Sequence, residues 1–230
     1  LRNLVNHLID QGVTGVVPVG TTGEFVNMTF EERLKVIEIV VDETNGRVPV
    51  IAGTGESGTK MVIDATNAAT DIGADAVLIV TPYYLKPKAK GLYDHYYTIA
   101  EKTEIPIIMY NIPVCTGVEL PWTVVEDLAD IENIVGIKDS SGDFKYFSAL
   151  LEKVSDKISV LIGWDENVLG ALAGGATGCI LGSANVIPKI WLELYDHVKN
   201  NRLIEAQTLQ KKVQKLARML INSGALGVKE

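Results

Sequence analysis

The sequence predicts an α/β protein whose parallel strands form a βα barrel, with the first of its eight strands lying before residue 1. Three observations predict it. A short apolar run, a Gly/Thr/Pro-rich turn and a helix-period segment recur along the whole chain. Polar, functional-looking turns follow nearly every apolar run, as expected where a site is assembled from many strand ends at one face. The Gly-rich fingerprint that usually follows the first strand of a doubly wound sheet is missing after the first run.

The elements follow in order. Residues Leu1 to Ile9 read as an amphipathic helix, so the chain opens inside a helix and reads as a fragment of a longer chain. Seven apolar runs read as strands buried on both faces: Gly15–Val19, Val48–Ala52, Ala76–Val80, Ile105–Met109, Ile134–Ile137, Ile158–Ile162 and Gly178–Leu181. Thr29 and Glu32 have capping-box spacing, and Leu34, Ile37, Val40 and Val41 then form an apolar helix face. Asn45-Gly46 stops that helix. Helix-period segments recur from Pro121 and from Glu166. No linker or composition shift divides residues 1–230, which read as a single barrel domain.

Composition narrows the partners. A net charge of −8 and a pI near 5.0 argue against nucleic acid or an anionic membrane. No apolar run is long enough to span a bilayer. Cys115 and Cys179 have no metal-ligand spacing and form no disulfide framework, a usage that fits a reducing cytoplasm. His7, His95 and His197 are far apart in helix-period segments, so surface or packing roles are expected and no metal is implied.

Four strand-end motifs carry the chemistry. Gly20-Thr21-Thr22-Gly23-Glu24 lets the backbone approach a ligand, and its N–H groups and hydroxyls suit a carboxylate, although an ordinary strand-to-helix turn reads the same way. Thr81-Pro82-Tyr83-Tyr84 puts two aromatics on a loop, where packing is the commoner role. Tyr110 follows the fourth run, and a strand-end tyrosine can serve as general acid or base beside an ammonium. Lys138 closes the run Ile134–Ile137, and burial at such a place favours a neutral, nucleophilic amine; the alternative is a charge paired with Asp139. In a barrel all four converge on one rim.

These motifs, with Val50–Gly55 and Gly163 before an acidic turn, resemble the dihydrodipicolinate synthase / N-acetylneuraminate lyase family in order and spacing over essentially the whole chain. The resemblance implies a (β/α)8 barrel with further helices after Lys229, and a class I aldolase that needs no cofactor because the substrate forms an imine on Lys138. Tyr110 would carry protons, Thr21 would link it to Tyr84 reaching in from a neighbouring subunit, and Thr21 and Thr22 would hold the pyruvate carboxylate. Gly163 and Ile180 would line the pyruvate end. A cytoplasmic homo-oligomer, dimer or tetramer, is implied by the same analogy.

One departure bears on the substrate. Cys115 stands where the family's lysine-precursor synthases carry an arginine, and a thiol makes no bidentate contact with a carboxylate. The expected reaction is therefore an aldol step between pyruvate and an aldehyde, such as cleavage of a 2-keto-3-deoxy sugar acid. The alternative is 4-hydroxy-tetrahydrodipicolinate synthase, which joins pyruvate to aspartate semialdehyde in lysine biosynthesis. A non-catalytic regulatory barrel would have lost Lys138 or Tyr110, and both are present. A phosphate-handling barrel, suggested by Gly174-Gly175 and Gly182-Ser183, would leave those two residues unexplained.

Overall fold

The apolar runs become strands covered on both faces, which is why they carry so few polar residues. A computed structural model describes residues 1–222 and 224–229. In it β1 (Ile51–Gly53), β2 (Ala76–Val80), β3 (Ile107–Asn111), β4 (Ile134–Asp139), β5 (Ser159–Ile162) and β6 (Gly178–Cys179) form one parallel sheet. Their spatial order is their chain order, with no switch point, so the sheet curls as a half-barrel instead of winding both ways.

Helices alternate with the strands: α1 (Arg2–Asp10), α2 (Phe30–Thr44), α3 (Thr59–Ile72), α4 (Ala89–Ala100), α5 (Pro113–Thr116), α6 (Trp122–Leu128), α7 (Phe144–Val154) and α8 (Val168–Ala173). Then come α9 (Pro188–Lys199), α10 (Leu203–Asn222) and α11 (Gly224–Lys229). The expected capping box opens α2: Glu32 N–H donates to Thr29 Oγ1 (3.2 Å) and Thr29 N–H to Glu32 Oε2 (2.8 Å). Asn45 ends α2 in the left-handed region, at φ 47°.

Two expectations need correction. Seven strands are expected and six are found among the described residues, because Gly15–Val19 makes only the isolated bridge Val16–Val50. It still runs beside β1, with Val16 N–H donating to Pro49 O and Gly53 N–H to Pro18 O, but Pro18 has no N–H to extend the ladder. β3 and β4 also reach further than their apolar runs and take in Tyr110, Asn111, Lys138 and Asp139. Backbone pairing sets a strand's end, and polar side chains do not prevent it.

Alternation divides the strand residues into two sets. Val77, Ile79, Ile107, Met109 and Ile137 pack outward against the helices, in one cluster with Leu92, Tyr96, Leu128, Phe147 and Leu150. Leu78, Val80, Ile108, Tyr110 and Ile112 form a separate inner cluster. On β3, β4 and β5 the polar residues of the inner side are Tyr110, Lys138 and Ser159, the last paired with Gly136. No helix among the described residues is long and apolar enough to cross a membrane.

Candidate active site

Tyr110 and Lys138 are direct register partners on β3 and β4, so both side chains leave the sheet on the same face. The Lys138 ammonium nitrogen lies 4.1 Å from the centroid of the Tyr110 ring. Lys138 is 9% exposed, and among the described residues its amine has no ion pair or hydrogen bond. A π face in place of a counterion leaves the nitrogen free to attack a carbonyl.

Asp139 is not the partner of Lys138. One residue further along the strand it faces the opposite side, where Asn111 Nδ2 donates to its Oδ1 (2.7 Å) and the Ser141 hydroxyl to its Oδ2 (2.9 Å). Asn111 and Asp139 are themselves register partners, so a polar rung on the outer face backs the Tyr110–Lys138 rung on the inner one. Burial pushes the Asp139 carboxyl up to about 6 against the pull of these hydrogen bonds.

The space for the lysine chain is left by Gly163, directly after β5. A Cβ at that position would lie 2.5 Å from Lys138 Cε and 2.2 Å from Ser140 Oγ. Gly163 is tied to β4 by its N–H, which donates to Asp139 O (2.7 Å), and by its carbonyl, which accepts from the Ser140 hydroxyl (3.0 Å).

Thr21 and Tyr110 line one small pocket together with Gly20, Phe25, Gly53, Gly55 and Val80. The Gly20–Glu24 turn is strained at its start, because Val19 has φ 61°, a conformation unfavourable for a β-branched residue. Gly53 makes this possible: a Cβ there would lie 2.1 Å from the Val19 carbonyl oxygen. Thr22 reaches across to the turn after β6, where a Cβ on Gly182 would lie 2.8 Å from its hydroxyl. Ile180 is half-buried, held by its N–H donating to Ile162 O (3.0 Å). The structure thus places Lys138, Tyr110, Thr21, Thr22, Gly163 and Ile180 at the C-terminal ends of the strands. Tyr84 is not among the residues of the Thr21–Tyr110 pocket; it stands 89% exposed.

One neighbour was not legible as a site residue. Asp165 is buried two residues after Gly163, and its Oδ1 accepts from the Ser183 hydroxyl (2.7 Å), which in turn accepts from Trp191 Nε1 (2.9 Å). Burial raises the Asp165 carboxyl to about 6, while the charge of Lys138 pulls it down. The Cys115 thiol is raised by burial and lowered by the same charge, which places the turn after β3 within the field of the amine. The acidic turn after Gly163 was the only sequence sign of Asp165. Cys179 packs, partly buried, against the core, its thiol pushed up to about 12 by burial.

A broad cleft lined by Asp130, Glu132, Asp156 and Lys157 lies at the N-terminal ends of β4 and β5. It is at the far end of the strands from Lys138, and Lys157 already pairs with Asp130 (2.7 Å). In sheets of this kind ligands gather at the carboxyl ends, which makes Lys138 and its surroundings the candidate site.

Comparison with known proteins agrees with this geometry. A family profile described as the dihydrodipicolinate synthetase family matches residues 1–230. The 4-hydroxy-tetrahydrodipicolinate synthase of Methanothrix thermoacetophila is 43% identical, covering 100% of this chain and 78% of that protein. The enzyme of the same name from Thermodesulfovibrio yellowstonii is 44% identical over 99% of this chain and 79% of its own length. Among solved structures, the chloride-inhibited dihydrodipicolinate synthase of Acinetobacter baumannii complexed with pyruvate superposes with a TM-score of 0.93 at 43% identity, covering 96% of this chain and 76% of that one. The chain belongs to the dihydrodipicolinate synthetase family and is an enzyme of the aldolase-type lyase class.

Proposed function

We propose that the protein is a Schiff-base 4-hydroxy-tetrahydrodipicolinate synthase, the name that its relatives carry, and that it condenses pyruvate with aspartate semialdehyde on a (β/α)8 barrel. The observation that carries the reading is the unpaired, buried Lys138 amine 4.1 Å from the Tyr110 ring. Its nitrogen attacks the keto carbon of pyruvate, and loss of water leaves an imine. The imine draws electrons from the adjacent methyl, which gives up a proton to become an enamine carbon. That carbon bonds to the aldehyde carbon, whose oxygen takes up a proton, and the α-amine of aspartate semialdehyde then attacks the imine carbon, closing the ring and displacing the Lys138 amine. No cofactor is required, because the imine itself is the electron sink.

In this reading Tyr110 moves protons to and from the substrate oxygen, in line with its place beside the amine. Thr21 and Thr22 hold the carboxylate of pyruvate, and Gly163 and Ile180 wall its other end. Tyr84 serves the site of a second copy of the chain: it does not line the Thr21–Tyr110 pocket, and it and Leu85 beside it are 89% and 78% exposed.

The names of the 40–44% identical relatives favour the synthase over the sugar-acid aldolase that Cys115 suggests. Cys115 still favours the second reading at one point, since its side chain carries no positive charge for a substrate carboxylate. Borohydride trapping with pyruvate, mapped by mass spectrometry, is expected to give one adduct on Lys138. Turnover is then compared for aspartate semialdehyde and for sugar-derived aldehydes. Faster consumption of the sugar-derived aldehydes would replace the synthase reading, and the lack of any adduct would remove both. If residue 115 limits binding of the aldehyde's carboxylate, Cys115→Arg lowers KM for aspartate semialdehyde by about 10-fold.

A further inference from the structure

Tyr84 is the most exposed of the proposed site residues, and its backbone is in a place aromatic residues avoid, at φ 71°. Such a conformation persists only where its surroundings over-determine it. Both sides of the residue are anchored. On the far side the Lys86 amine rests on Gly117, where a Cβ would lie 3.0 Å from Nζ. On the near side Leu85 N–H donates to Tyr83 O (2.9 Å), closing a tight turn around Tyr84. The Tyr83 hydroxyl donates to Glu56 Oε2 (3.3 Å), and its ring meets Phe25 edge-on at 6.1 Å.

Behind Tyr83 is a buried charge pair that the chemistry does not use. Arg33 of α2 donates through Nη2 to Glu56 Oε1, and both residues are buried. Glu56 is the only side chain that Arg33 bonds among the described residues, and Arg33 Nε has no partner among them. Replacing a buried ion pair with apolar residues is often neutral or stabilising, so stability is a weak reason for it to be there. What it does provide is direction. Glu56 is held with one oxygen toward Arg33 and the other toward Tyr83.

We propose that the Arg33–Glu56 pair, acting through the Tyr83 hydroxyl, is a positioning device that fixes Tyr84 in its outward left-handed conformation for use by a second copy of the chain. The inference rests on the reading of Tyr84 given above. Arg33, Glu56 and Tyr83 touch no reacting atom; they act through Tyr84.

The test uses four variants of the intact protein, Tyr83→Phe, Arg33→Met/Glu56→Met, Tyr84→Phe and Tyr83→Phe/Tyr84→Phe, with steady-state kinetics and thermal melts. Tyr83→Phe and the Arg33/Glu56 double variant are expected to lower kcat by about 10-fold with KM for pyruvate unchanged, and to melt close to the parent. Tyr84→Phe lowers kcat at least as far, and adding Tyr83→Phe to it costs nothing more. Parental kcat in both Tyr83→Phe and the double variant, with Tyr84→Phe impaired, would overturn the positioning role. Parental kcat in Tyr84→Phe would overturn the reading of Tyr84 and the inference with it. If the double variant does not fold, Tyr83→Phe decides, because it leaves the ion pair intact.

Discussion

Gly163→Ala tests whether Lys138 depends on the missing side chain beside it. The new Cβ would lie 2.5 Å from Lys138 Cε, against 3.4 Å or more for ordinary contact. The end of the lysine chain must therefore move by about 1 Å, and a displacement of that size at a reacting atom is worth about 100-fold in rate. The clash with Ser140 Oγ at 2.2 Å adds a stability cost of about 1–3 kcal/mol, typical of overpacking. Adding Ser140→Ala relieves that second clash and leaves the first. The double variant is thus expected to recover stability by urea denaturation while its borohydride trapping with pyruvate stays about 100-fold slow. Gly163 φ is not positive, so alanine meets no backbone strain there, and the loss that remains in the double variant reports on the Lys138 contact. Trapping at the parental rate in a folded Gly163→Ala protein would refute the reasoning.

Three further outcomes are expected. Asp139 has a folded value near 6 against an ordinary 3.8, so native protein binds the extra proton between those values and loses stability as pH rises through 6. Asp139→Asn should therefore gain on the order of 2 kcal/mol over the parent at pH 8 and close to nothing at pH 4, read from paired urea melts; an equal effect at both values would argue against burial as the cause. Tyr110→Phe should keep the Lys138 adduct but lower kcat by about 100-fold or more, as loss of a proton carrier does; parental turnover in a steady-state assay would remove Tyr110 from the mechanism. Thr29→Ala removes the acceptor for Glu32 N–H and should cost about 1 kcal/mol in a thermal or urea melt, with kcat unaffected.

Lys138 and Tyr110 were legible because each follows an apolar run that had to be a buried strand, and adjacent strands bring such ends together. What the runs did not show was that the strands continue through these residues. That extension decides which side each one faces, and it turns Asp139 from a counterion into part of the outer rung with Asn111. The capping box at Thr29 could be read from four consecutive residues because its contacts are local. The Arg33–Glu56–Tyr83 chain could not, since its members lie on a helix, a turn and a loop that only the folded sheet brings together. Gly15–Val19 looked as much like a strand as its neighbours, and a proline inside it limited its pairing.

The register Tyr110–Lys138 has a consequence for how this chain can change over time. Substitutions in the loops between β3 and β4 leave the pairing of the two strands alone. A slip of one residue in either strand is different in kind. It would turn the amine or the phenol toward the helices and bring Asn111 or Asp139 to the inside in its place. Lineages that keep the chemistry should therefore vary in side chain along this stretch while holding the length of both strands constant.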